Sequence, residues 1–210
     1  MSDYEAEPAV APVLFSTPVA LDQARRFTQN LAEHGERLGL IGPLELPRLW
    51  SRHVLNSALV APLIQPGRIG DVGSGAGLPG IPLAIARPDA QFILIEPMER
   101  RVAWLESQVN ELELENVEVV RSRAEDVKLY RALDQVTARA VSALKTLIPI
   151  TARLVRDGGQ LILMKGMGAE REIEASEKSI RRFKLTNVEV LELGNELDIE
   201  ATRVVRATVN

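Results

Sequence analysis

Apolar residues at Ala20, Ala24, Phe27 and Leu31 recur at helical spacing, behind a Thr17-Pro18 pair suited to an N-cap and first helical position. The pattern predicts a helix to about His34. Gly35 and Gly39-Leu-Ile-Gly42-Pro43 then break the chain. A second helical stretch is expected from about Leu46 to Leu63, ending before Gln65-Pro66-Gly67.

From Arg68 the period changes. Short apolar runs at Ile69–Val72, Gln91–Ile95, Val117–Arg121, Gln135–Arg139 and Gln160–Met164 read as strands, the last entered through an Asp157-Gly-Gly159 turn. Helical stretches fall between them, at about Pro79–Ala86, Glu99–Leu112, Leu144–Val155 and Ala169–Arg182. Strands alternating with helices specify a parallel α/β sheet. The chain closes with Thr186–Leu193 and Thr202–Val209, two runs close enough to form an antiparallel hairpin. The expected fold is α/β and Rossmann-like, with a mainly parallel seven-stranded sheet, an N-terminal helical cap and a C-terminal antiparallel hairpin. Residues 1–17 read as a flexible segment, 18–66 as the cap and 67–210 as the core, in one domain overall.

Composition narrows the chemistry. With 46% hydrophobic residues in 210, a substantial core forms without staples. There is no cysteine, which excludes disulfides and thiolate chemistry, and two histidines make a histidine-built metal site a poor expectation; no metal is assigned. The start, MSDYEAEPAVAPVLFSTP, lacks the basic and apolar runs of a signal peptide, and no apolar stretch reaches membrane-spanning length. A cytoplasmic, membrane-free monomer is expected. The net charge of −4 argues against a general affinity for nucleic acid, yet cations cluster at Arg52-His53, Arg100-Arg101, Arg121 with Arg123, and Arg181-Arg182-Lys184. Such clusters are most often solvated faces; a local basic face remains compatible with the overall charge.

The chemistry concentrates in Asp71-Val-Gly-Ser-Gly-Ala-Gly77, between the first strand and its helix. Missing β-carbons at Gly73, Gly75 and Gly77 let the backbone turn tightly and approach a ligand. Gly75–Gly80 also satisfies the dinucleotide pattern G-x-G-x-x-G, so the glycines alone leave a dehydrogenase open. Asp71 favours the other cofactor. A carboxylate there repels a pyrophosphate and suits the cationic methyl donor S-adenosylmethionine. Glu96, ending the second strand, sits where a two-acceptor carboxylate holds ribose hydroxyls; its bland alternative is a solvated residue before Pro97. Ala124-Glu125, after the third strand, are placed to read adenine, the alternative for Glu125 being a surface charge. The fold expected is thus that of a class I S-adenosylmethionine-dependent methyltransferase.

Five segments in order, RHVLNS (Arg52–Ser57), DVGSGAGLPGIPLAI (Asp71–Ile85), RAED (Arg123–Asp126), TARAV (Thr137–Val141) and MKG (Met164–Gly166), resemble the small-subunit ribosomal RNA guanine-N7 methyltransferase family, RsmG or GidB. The resemblance runs from about Phe27 to the C-terminus, and Leu78-Pro79-Gly80 is its distinctive part. It implies cofactor contacts at Gly73, Leu78, Ala124, Glu125 and Arg139. It also implies a target guanine, usually guanine 527, in 16S ribosomal RNA or the small ribosomal subunit. Asn56 stands where relatives often carry aspartate.

Guanine N7 offers an in-plane lone pair and no proton, so its methylation needs no general base, and no catalytic acid or base is assigned. Ala138-Arg139-Ala140 stands where N-P-P-Y or D-P-P-Y would serve exocyclic amine methylation. N7 is inaccessible in the deep major groove of A-form RNA, so an unpaired or splayed-out guanine is expected. Arg52, His53, Arg139 and Lys165 are the candidate RNA contacts; His53 serves equally as a structural histidine, and Lys165 as a solvated strand end. A protein or small-molecule methyltransferase, or a non-catalytic RNA-binding protein with this fold, are the competing readings.

Overall fold

A computed structural model describes residues 4–197 and 199–210. A short helix α1 (Ala11–Leu14) leads into α2 (Pro18–His34), whose first turn is capped by Thr17: its hydroxyl accepts the Ala20 N–H at 3.1 Å. Residues 4–17 are not the loose lead-in the sequence suggested. Ala11 and Phe15 are buried, the Glu5 carboxylate accepts the Ser51 N–H at 2.9 Å, and Glu7 pairs with Arg25 of α2. A few apolar side chains in an acidic, proline-bearing stretch carry no periodicity, so only their tertiary partners reveal the packing. Residues 1–3 of that segment lie outside the described residues.

The stretch expected to be helical from Leu46 to Leu63 is broken into a 3-10 turn (Leu46–Arg48), a π-helical turn (Leu49–Leu55), α3 (Asn56–Ala58) and a second 3-10 turn (Ala61–Leu63). Pro47 and Pro62 lack the N–H that a continuous α-helix needs, and each sits in one of the tighter turns. Leu49, Trp50, Val54 and Leu55 of this stretch still reach the core.

The core alternates β1 (Arg68–Val72), α4 (Gly80–Ala86), β2 (Gln91–Glu96), α5 (Glu99–Glu111), β3 (Val117–Arg121), β4 (Leu133–Arg139), α6 (Leu144–Thr151) and β5 (Val155–Lys165). Pairing of β5 begins at Val155 opposite Leu133. Asp157-Gly158-Gly159 then loops out, and the ladder resumes at Gln160 opposite Gln135. The helix expected from Ala169 to Arg182 is two, α7 (Ala169–Glu174) and α8 (Glu177–Arg182). Between them the buried Ser176 hydroxyl donates to the Glu172 carbonyl at 2.6 Å, competing with the helical ladder. The strands β6 (Thr186–Leu193) and β7 (Thr202–Thr208) close the chain as an antiparallel pair.

The sheet has seven strands in the order β3-β2-β1-β4-β5-β7-β6, parallel except for β7, which runs antiparallel to both neighbours. Side chains alternate between its faces. Ile69, Phe92, Leu94, Ile162 and Val204 pack on one side with the N-terminal cap, α4 and α5. Val72, Ile93, Ile95, Val136, Leu161 and Val205 pack on the other with α6 and its neighbours. Strand order reverses between β1 and β4, and open α/β sheets bind ligands beyond the strand ends at such a switch.

Candidate active site

The glycine loop leaves β1 at this switch point. Gly73 N–H donates to the Ile95 carbonyl at 2.9 Å, tying the loop to the end of β2, and the Trp104 indole N–H donates to the Ala76 carbonyl at 3.0 Å. Two glycines are sterically required. Gly73 has φ +71°, and a β-carbon there would lie 2.9 Å from Val141 Cγ2. Gly77 has φ +95°, and a β-carbon would lie 2.5 Å from Ile81 Cδ1. The left-handed backbone and the crowding together select glycine.

Asp71 is fully buried, with Oδ2 accepting the Gly80 N–H at 3.1 Å. Oδ1 is buried with no hydrogen-bond partner among the described residues. Burial raises its pKa to about 7, against the opposing pull of the Ser74 hydroxyl, the Gly80 N–H and the Arg139 cation. A buried acceptor without a partner, beside a glycine loop, suits a cationic or N–H-bearing ligand. Glu96 is also buried, and both of its oxygens are engaged. Oε2 accepts the Gly75 N–H and Oε1 the Met98 N–H, each at 3.0 Å. Each oxygen keeps a second lone pair, so the carboxylate shapes the loop and still has capacity for two hydroxyls.

Asp71, Gly73, Gly75, Gly77, Leu78 and Glu96 therefore form one locus. Ala124-Glu125 follow β3, whose exit is tied to β2 by the Ser122 N–H on the Glu96 carbonyl at 3.2 Å. Their side chains border a separate hollow of about 320 Å³ with Pro149, Ile150 and Arg153. The Glu125 side chain is exposed, and neither residue borders the larger cleft.

Arg52, His53, Arg139 and Lys165 come together as lining of one cleft of about 660 Å³, at the carboxyl ends of β4 and β5. The cleft is of mixed charge, not a bare basic face. Arg52 pairs with Glu200 at 3.3 Å, His53 with Glu45 at 2.6 Å and Lys165 with Glu172 at 2.8 Å. Lys165 also donates to the Ser142 carbonyl at 2.9 Å and is largely covered, so it is no solvated strand end. Arg203, paired with Glu192 at 3.3 Å, joins the lining. Glu45, Glu172 and Arg203 escaped sequence reasoning because they come from the cap, α7 and β7, with no local motif to join them. Burial lowers the pKa of Arg139 to about 10, partly offset by Asp71. Among the described residues no group of three metal-ligating side chains occurs, and no helix is long and apolar enough to cross a membrane.

A seven-stranded sheet of this order, with the glycine loop at its β1/β4 switch, defines a class I S-adenosylmethionine-dependent methyltransferase fold. The structure of M. jannaschii TYW2 in complex with AdoMet is similar, with TM-score 0.59 and 20% identity, covering 74% of this chain and 74% of that one. More particularly, the family model described as GidB, rRNA small subunit methyltransferase G, matches residues 20–201, and the chain belongs to this family. The ribosomal RNA small subunit methyltransferase G of Leifsonia xyli is 63% identical over 205 residues, 98% of this chain and 97% of the relative. That of Clavibacter michiganensis is 63% identical over 205 residues, 98% and 96% of the two chains.

Proposed function

We propose that the protein transfers a methyl group from S-adenosylmethionine to N7 of a guanine in 16S ribosomal RNA, guanine 527 by family expectation. The observation that carries the reading is the locus of Asp71, the glycine loop and Glu96, with Arg139 of the neighbouring cleft close enough for its charge to act on Asp71. Its residues fit the cofactor: the unpartnered Asp71 Oδ1 is an acceptor for the cation, Glu96 offers lone pairs to the ribose, and Gly73 and Gly77 hold the left-handed turns of the loop. Gly75, Gly77, Leu78, Ala124, Glu125 and Arg139 complete the proposed cofactor residues. When bound, the cofactor supplies an electrophilic methyl on a sulfonium.

The chain's own task is alignment. No group need remove a proton from N7, and the end of β4 carries arginine between alanines where a base or amide would serve another substrate. Proximity and orientation supply the acceleration. Arg52, His53, Arg139 and Lys165 are the proposed RNA residues, with Glu200 and Glu172 holding Arg52 and Lys165 in place until phosphates compete for them. A cytoplasmic monomer acting on the small subunit or its RNA completes the reading.

Two measurements test it. Small-subunit RNA from cells lacking the protein should lose one 7-methylguanine; unchanged modification refutes the substrate. Calorimetry with S-adenosylmethionine should show binding by the wild type and none by Gly73→Asp, and equal affinity refutes the loop assignment.

A further inference from the structure

The Arg139 guanidinium stands at the carboxyl end of β4, where its charge is felt by the buried Asp71. On the cleft side it is held by the cap. Nη2 donates to His53 Nδ1 at 2.7 Å, and Nη1 donates to the Arg52 carbonyl at 3.3 Å. A guanidinium has donors only, so Nδ1 must present a bare lone pair, and the proton of the neutral ring then resides on Nε2. Nε2 lies 2.6 Å from Glu45 Oε2, which accepts that proton's hydrogen bond. Glu45 is anchored in turn by Arg48 at 3.0 Å. Three residues from the cap thus specify one tautomer and one orientation, and these place a side chain of the sheet.

We infer that His53, set in its Nε2–H tautomer by Glu45, is a positioning residue that holds the Arg139 guanidinium at the methyl-transfer site; this rests on the proposed reading of the cleft. The charged groups facing the ring are Glu45, Arg48 and Arg52 from the cap and Arg139 from β4, with Glu200 beyond Arg52 and Asp71 behind Arg139. Burial and then Arg139 favour the neutral ring, against the pull of Glu45. Protonation would set an Nδ1–H against the guanidinium, two donors and two positive charges face to face, and would release Arg139.

The alternative is a histidine that merely pins the cap to the sheet. Substitutions separate the two. Asparagine places a non-titrating acceptor near the position of Nδ1, whereas glutamine reaches towards Glu45 and leaves Arg139 without its acceptor. His53→Ala and His53→Gln should lower kcat for RNA methylation by about 10- to 100-fold, as expected when a reacting partner is misplaced. His53→Asn should recover most of that loss and lack the wild-type acid limb that tracks His53 protonation. Asp71 titrates in every variant, so the difference between wild-type and His53→Asn profiles isolates the ring. Thermal melts identify any variant that fails to fold. Equal kcat in all four proteins, or equal losses for Asn and Gln with an unchanged pH profile, overturns the inference.

A second readout is independent of activity. The chain has two histidines, so 15N NMR with His34→Gln for assignment reports the His53 tautomer directly. An Nε2–H ring that shifts towards a mixture in Arg139→Gln supports the contact. An Nδ1–H ring in the wild type, or no response to Arg139→Gln, overturns it. If the wild type methylates no RNA, the functional reading fails, and the spectrum still decides the Glu45–His53–Arg139 contact.

Discussion

Asp71→Asn should change how the stability of this protein depends on pH. The carboxyl is fully buried, and burial raises its pKa from the ordinary 3.8 to about 7. The folded state therefore favours the neutral acid. Its contribution to stability is fully present below the unfolded pKa, declines as pH rises, and is lost once pH passes the folded value. From those two pKa values, the loss between about pH 5 and about pH 8 amounts to about 3 kcal/mol. Other groups move differently. Glu45, Asp89 and Asp134, with lowered pKa values, lose their contribution only in more acid solution; His53, also lowered, contributes in the opposite sense near neutrality. Comparing variant with wild type removes these shared terms. Urea unfolding at both pH values measures the effect, because asparagine keeps an acceptor for the Gly80 N–H and does not ionise. Relative to Asp71→Asn, the wild type should be destabilised by about 3 kcal/mol more at the higher pH. Parallel pH dependences in the two proteins would refute the claim that this carboxyl is buried and neutral in acid. S-adenosylmethionine affinity of the wild type should also rise through the same window, as the charged form meets the cation.

Glu96→Gln leaves one side-chain oxygen where two backbone N–H groups are now accepted, so cofactor affinity by calorimetry should fall by about tenfold or more. Gly80→Ala puts a β-carbon 2.4 Å from Leu94 Cδ2 and 2.6 Å from Asp71 Oδ2. Such overpacking should cost about 1–3 kcal/mol, read as a lowered Tm by calorimetry. Phe15→Ala removes a buried ring from the N-terminal segment and should cost about 3–5 kcal/mol in urea unfolding; an unchanged midpoint would mean that the segment does not pack.

Periodicity made most of the sheet legible. Val117–Arg121 and Thr186–Leu193 have the bounds their apolar patterns predict, because a strand buried on one or both faces writes its period of two into the residues. The glycine loop was equally legible: left-handed φ at Gly73 and Gly77 is a local demand that only one residue type meets cheaply. The cap was harder. Its second stretch has helical periodicity, yet it splits into short turns of three kinds, a choice made by proline placement and by packing together. The break between α7 and α8, where the Ser176 hydroxyl donates to the Glu172 carbonyl, is likewise announced by no periodicity.

The sequence by itself thus determined the alternation of strands and helices, the glycine loop and the acidic residues near the ends of β1 and β2, since each depends on neighbours a few positions away. Tertiary structure alone decided the electrostatics of the cleft. Arg52, His53 and Lys165 look like free cations in the chain, but Glu45, Glu172 and Glu200 reach them from other elements. Charge in a cleft belongs to the pairs that folding makes, and pairs between distant residues leave no periodic trace along the chain. Asp71 shows the same division: its place before the glycines was visible, while its burial, its open oxygen and its raised pKa exist only once the layers close over it.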